Sequence, residues 1–133
     1  MPKLETVIIA HETMVKVVQD HKRVISWYNI PPSKSFFSEV YGKSINYDVF
    51  GIMPHPFCFA ERSSLSVILN LFNKDPATNA IVLSKTNKKG QSPIFINRKL
   101  FDSHSTLHLK EINDYCKKRS LKIYTTEGIF KTL

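Results

Sequence analysis

Between Met14 and Tyr28 the apolar positions 14, 17, 18, 24, 25 and 28, with His21 in the same series, recur at steps of three and four. That spacing lays one stripe along an amphipathic helix. The second half of the stretch carries a competing signal. Val24-Ile25-Ser26-Trp27-Tyr28 is β-branched and aromatic, so a helix ending near His21 and a strand from about Arg23 to Ile30 fit the same residues, and both readings stand. Pro31-Pro32 ends whatever precedes it and pre-sets the first turn of a short helix at about Ser33 to Tyr41, closed by Gly42. Ile45 to Met53 reads as a strand, and Pro54-His55-Pro56-Phe57 as a stiff loop.

Further on, Leu65, Val67, Leu69 and Leu71 alternate with Ser66, Ile68, Asn70 and Phe72. Period two predicts a strand over Ser64 to Phe72, and the apolar Ile68 and Phe72 imply cover on both its faces. Asn73-Lys74-Asp75-Pro76 supplies a turn and a boundary. Strands follow at about Ala80 to Leu83 and Pro93 to Asn97, joined by the basic loop Ser84 to Gln91. Leu109, Ile112 and Cys116 mark one face of a helix from about Thr106 to Arg119, and Leu121 to Thr125 is the closing strand. The chain has no internal repeat and no low-complexity tract. The order of elements predicts an α+β fold of two small modules: an N-terminal α/β module at 1–76 and a mainly β C-terminal module with one helix at 77–133.

Composition narrows the partner. In 133 residues, 19 Lys and Arg stand against 11 Asp and Glu, a formal charge of +8, and the pI is near 9.6. That balance favours a polyanion, although an anionic membrane surface attracts basic proteins as well. No run approaches the roughly 18 apolar residues of a membrane span. Cys58 and Cys116 are far apart with no CxxC spacing, which supports neither a zinc site nor a disulfide framework. The opening Met1-Pro2-Lys3-Leu4-Glu5 has neither the apolar core of a signal peptide nor the Arg-rich face of a transit peptide. The protein is therefore expected to act where it is made. Its leaning to Lys, Asn, Ile, Ser and Phe is what an AT-rich genome produces.

Several groups invite a chemical reading. His11-Glu12-Thr13 and His104-Ser105-Thr106 form a pair of His-x-Thr motifs, as two-histidine phosphoesterases use, one imidazole as base and the other as acid. That chemistry needs both motifs on adjacent inward-facing strands, whereas His11 adjoins a helical pattern and Ser103 to Thr106 reads as a helix N-cap. Tyr115-Cys116-Lys117-Lys118 has the Tyr-x-x-Lys spacing of rolling-circle nickases but lacks their His-hydrophobic-His metal pair. It reads better as a solvated helix end, with Lys117, Lys118 and Arg119 complementing the dipole. His55 has no partner at metal-binding spacing. No catalytic residue, metal or cofactor is assigned.

Three polar motifs remain, each closing an apolar stretch: Pro32-Ser33-Lys34, Ser84-Lys85 with Lys88-Lys89-Gly90, and Thr125-Thr126-Glu127-Gly128. Small hydroxyls, lysines and tight Gly turns grip a phosphate backbone without chemistry, and Tyr124, leading into the last motif, has a ring on which a base can stack. Read in order, these segments resemble the universal small-subunit ribosomal protein eight family. Val24 through Lys34 looks like its strand and Pro-x-Ser-Lys signature, and Ser64 to Phe72 is similar to its apolar strand before the module boundary. Ile81 to Lys85, Lys88-Lys89-Gly90 and Pro93 to Ile96 resemble its Ser-Lys-Pro-Gly loop and the strand after it. Ile123 to Ile129 resembles its closing hydrophobic-Ser-Thr-Ser-Lys-Gly-hydrophobic turn.

The resemblance implies a non-enzymatic constituent of the small ribosomal subunit that binds the central domain of its rRNA and contacts neighbouring ribosomal proteins, with no small-molecule substrate and no membrane; a two-histidine phosphoesterase and a free-standing RNA-binding regulator stay open beside it. It implies RNA contacts at Ser33, Lys34, Ser84, Lys85, Lys88, Lys89, Tyr124, Thr125, Thr126 and Gly128. Tyr124 and Glu127 depart from the family's first Ser and its Lys, the Ser84 to Gly90 loop carries an inserted Thr-Asn-Lys, and the chain is read as stopping before the strand that family members carry after the Gly turn. Those departures point to an organellar ribosome, in the mitochondrial matrix rather than a bacterial cytoplasm.

Overall fold

A computed structural model describes residues 4–11, 24–29, 42, 44–53, 57–61, 63–84, 93–101 and 109–132. Its elements are β1 (Val7–His11), β2 (Val24–Asn29), β3 (Val49–Met53), β4 (Phe57–Phe59), α1 (Ser64–Lys74), β5 (Asn79–Ser84), β6 (Ile94–Asn97), a 3-10 turn (Arg98–Leu100), α2 (Leu109–Lys118), β7 (Lys122–Thr126) and β8 (Phe130–Thr132). Helix and strand are mixed as an α+β fold requires. Six strands form one sheet in the order β2-β1-β3-β6-β5-β7. The pairs β1–β2, β1–β3 and β5–β7 are parallel, and β6 is antiparallel to both β3 and β5, so β6 alone runs against the other five. The sheet is continuous across residue 76, because β3 pairs directly with β6.

Alternation along the central strands fills both faces of this sheet. Ile8, Ala10, Phe50, Ile52, Ile94 and Ile96 point to one side, where they pack with Cys116 of α2 and with Phe101. Val7, Ile9, Val49, Met53, Val82 and Phe95 point to the other, against Leu65, Ile68, Leu69 and Phe72 of α1. A strand covered on both faces is apolar at every position rather than at every second one. This explains β1, whose run Val7-Ile8-Ile9-Ala10 is fully buried and carries neither period. It also places His11 at the end of a strand.

Residues 64–72 are the clearest correction to the sequence reading. They form α1, not a strand. The segment carries two periods at once, and the one that wins is Leu65, Ile68, Leu69 and Phe72, at i, i+3, i+4 and i+7. Those four are buried while Val67, which the strand reading would have covered, is 41% exposed. Eleven residues also exceed the usual strand. The start of α1 is fixed locally: Glu61 donates its N–H to Ser64 Oγ at 3.1 Å. Over residues 24–29 the competing readings resolve to strand. The helix expected over 33–41 lies outside the described residues, as does the first half of the 14–28 stripe.

A second, two-stranded sheet pairs β4 with β8 in antiparallel register, Phe59 opposite Phe130. A strand therefore does follow the Gly turn, contrary to the expectation that the chain stops short of one. Phe59, Phe95 and Phe130 form a triangle with ring centroids 5.8 to 5.9 Å apart, which pins this ribbon to the α1 side of the main sheet. The Phe95 ring has room because its cross-strand partner is Gly51. A Cβ at Gly51 would overlap the Phe95 ring.

Candidate nucleic-acid interface

Strand register brings the closing residues of the co-directional strands to one edge. His11 is aligned with Asn29 of β2 and Met53 of β3. Ile52 and Leu83 are both aligned with Ile94, and Ser84 with Thr126. The last residues of the five co-directional strands thus form one row, His11, Asn29, Met53, Ser84 and Thr126, with buried Pro93 leading β6 in from the same side. Because β1 passes to β2 on one side and its other neighbour is β3, the chain reverses order at β1. Open sheets of this type hold ligands outside the carboxyl ends of their strands at such a reversal.

The individual residues differ in what they offer. Thr125 is exposed. Thr126 is half-buried, and its Oγ1 donates to Leu83 O at 3.2 Å, so the hydroxyl proton is engaged across β5 and β7 and its lone pairs remain to accept. Ser84 is half-buried and donates its N–H to Pro93 O at 3.3 Å. The Tyr124 ring packs against the α1-side core, which orients it and leaves it half-exposed. Gly128 is exposed and has φ of +81° with open space where a Cβ would stand, a left-handed turn that lets another chain approach its backbone closely. Glu127 is exposed beside it. Ser33, Lys34, Lys85, Lys88 and Lys89 lie outside the described residues. In sequence, their segments follow directly on the ends of β2 and β5.

The opposite edge is structural in character. Asp48 Oδ2 accepts the N–H groups of Glu5 and Thr6 at 2.8 and 3.1 Å, Asp48 N–H donates to Thr6 Oγ1 at 2.9 Å, and Lys99 Nζ stands 3.1 Å from Asp48 Oδ1. Burial alone would raise the Asp48 carboxyl, but these donors together outweigh it and hold the carboxyl below its ordinary value. Burial pushes the Cys116 thiol upward and keeps it neutral. Among the described residues no three His, Cys, Asp or Glu side chains are grouped to hold a metal ion, and no helix is long and apolar enough to cross a membrane.

The sequence marks Ser84 and Thr126 but not their shared row, since co-direction of β5 and β7 is a property of pairing. No protein-family model matches this chain, and no curated protein matches it.

Proposed function

We propose that this protein binds RNA along the carboxyl edge of its sheet and, in the most specific form of that reading, that it is a constituent of a small ribosomal subunit bound to the central domain of its rRNA. One observation carries the RNA reading: the register row that ends β5 and β7 side by side at Ser84 and Thr126. The +8 charge supplies salt-sensitive attraction to phosphates. Hydroxyls at Thr125 and Thr126 and the exposed left-handed turn at Gly128 supply orientation on a shaped groove. No proton transfer is needed.

The ribosomal form rests on the ordered motifs alone, from Pro31-Pro32-Ser33-Lys34 to the Thr-Thr-Glu-Gly turn. Ser64 to Phe72, a helix here, lends it nothing. Tagged protein run through a sucrose gradient, with sequencing of the RNA crosslinked to it, tests both levels. Co-sedimentation with small subunits and crosslinks to a central-domain helix, reduced by Thr125→Ala with Thr126→Ala, are expected. RNA crosslinks outside ribosomes would leave the RNA reading and remove the ribosomal one, and their complete absence would remove both.

A second reading, a two-histidine phosphoesterase, is favoured by His11, which ends a central strand at that same edge. Turnover of a 2′,3′-cyclic nucleotide, abolished in His104→Ala, is the result that would replace RNA binding with catalysis.

A further inference from the structure

The exit of α2 holds a set of cations that the carboxyl edge does not use. Lys117, Lys118, Arg119 and Lys122 are all exposed, and among the described residues none of the four has a carboxylate at ion-pair distance, Asp114 one turn upstream included. Like charges crowded over six positions repel one another, so their arrangement needs a rigid frame. The fold provides one. Leu121 N–H donates to Cys116 O at 2.9 Å and Ser120 N–H to Lys117 O at 3.4 Å, with Ser120 left-handed at φ 55°: the paired bonds of a Schellman turn. Leu121 and Cys116 both enter the α2-side core, which ties the turn down.

Arg119 is placed as well. Its guanidinium carbon lies 3.6 Å from the centroid of the Tyr115 ring, and that ring stacks on Phe101 at 5.2 Å and donates its hydroxyl to Leu100 O at 3.4 Å. A guanidinium held over an aromatic face has less freedom to lose when it binds a phosphate. The turn delivers the chain straight into β7, whose first residue is Lys122 and whose last is Thr126. β7 is also the outermost strand of the sheet. Four steps along it span about 13 Å at strand rise, which makes the cationic turn and the Thr-Thr-Glu-Gly turn the two ends of one exposed edge.

We propose that the Lys117 to Lys122 turn is a second contact for the same RNA, taking backbone phosphates at the amino end of β7 while the hydroxyl motif holds the strand at its carboxyl end. This rests on the RNA reading above. The partner it fits is a phosphate backbone, because the groups are exposed point charges and one planar guanidinium, which position a backbone rather than read a base.

The test is the salt dependence of binding to two probes, a 20-nucleotide oligouridine and a short RNA hairpin, using the full chain. Each phosphate neutralised contributes about 0.7 to the slope of log affinity against log salt for single strands. The variant K117Q/K118Q/R119Q is therefore expected to lose about two from that slope, with an unchanged circular dichroism spectrum, since all three side chains are exposed. Thr125→Ala with Thr126→Ala is expected to weaken binding while keeping the slope, because it removes no charge. Arg119→Lys, which keeps the charge, should retain the slope as well. RNA bound by the wild type with the same slope in the glutamine variant would overturn the second contact and leave the first. No binding of either probe by the wild type would overturn both. Loss in the glutamine variant of binding to phosphatidylserine vesicles, with RNA binding intact, would reassign the turn to a membrane surface and overturn the proposal.

Discussion

Gly51 shows how a single missing side chain positions a distant turn. Its lack of a Cβ admits the Phe95 ring, and that ring carries Phe59 and Phe130, and with them the strand that follows the Gly128 turn. Gly51→Ala forces the fully buried Phe95 to move, and overpacking of this kind costs about 2–3 kcal/mol. Chemical denaturation should show that loss, and on the RNA reading proposed above binding weakens with it because β8 is dislodged. Gly128→Ala is expected to cost about 1 kcal/mol for a different reason, the left-handed backbone rather than crowding, with its Cβ in open space. Asp48 sets an acid limb. Its carboxyl titrates below its ordinary value in the folded state, so its contribution is fully present above the unfolded-state value and is lost as pH falls through the folded-state one. Unfolding free energies measured from pH 7 down to about pH 2.5 should therefore converge between wild type and Asp48→Asn as the pH falls. A gap that stays constant would exclude the carboxylate as the cause.

The ends of helices and strands were less legible than their middles. α2 was legible from Leu109, Ile112 and Cys116: it is described over Leu109–Lys118, and its end lies one residue from the expected Arg119. The Schellman turn that ends it was not, because the residue in the left-handed position is Ser120 and not the glycine that normally signals such a cap. Ser120→Gly is expected to stabilise the protein by about 0.5 kcal/mol and Ser120→Val to destabilise it by about 1–2 kcal/mol, since a branched Cβ is disfavoured at positive φ. Thermal unfolding of the two variants checks the sign. The sequence of α1 was read with the wrong period because Leu65, Val67, Leu69 and Leu71 satisfy alternation as well as Leu65, Ile68, Leu69 and Phe72 satisfy a helix. Only the sheet beneath decides which set is covered. Asn73, near the end of α1, clamps the backbone of Leu4 from both sides, accepting its N–H at 2.7 Å and donating to its carbonyl at 2.9 Å. Asn73→Ala should cost about 1–2 kcal/mol by leaving those two groups unpaired.

Across the molecule, charge and topology divide the work. Five co-directional strands bring their closing residues to one edge, whereas the Asp48 network and the start of β7 occupy the other. An RNA following β7 would meet hydroxyls at one end and fixed cations at the other. Its affinity should then fall steeply with salt while its selectivity, carried by Thr125, Thr126 and Gly128, changes little. Competition between matched and scrambled hairpins at two salt concentrations measures this. A selectivity that fell in step with affinity would place discrimination in the charges.

Composition and short-range pattern were enough for the basic character, the mixed helix and strand content, the strands β3, β5, β6 and β7, and the three hydroxyl and lysine motifs. These follow from side-chain chemistry and from periods of two or three to four residues, which any stretch of chain carries by itself. The identity of α1, the buried strand β1, the pairing of β8 with β4 and the gathering of Ser84 and Thr126 into one row did not follow from it. Each depends on which surfaces meet across tens of residues, and hydrogen-bond register between distant strands leaves no local mark in the sequence.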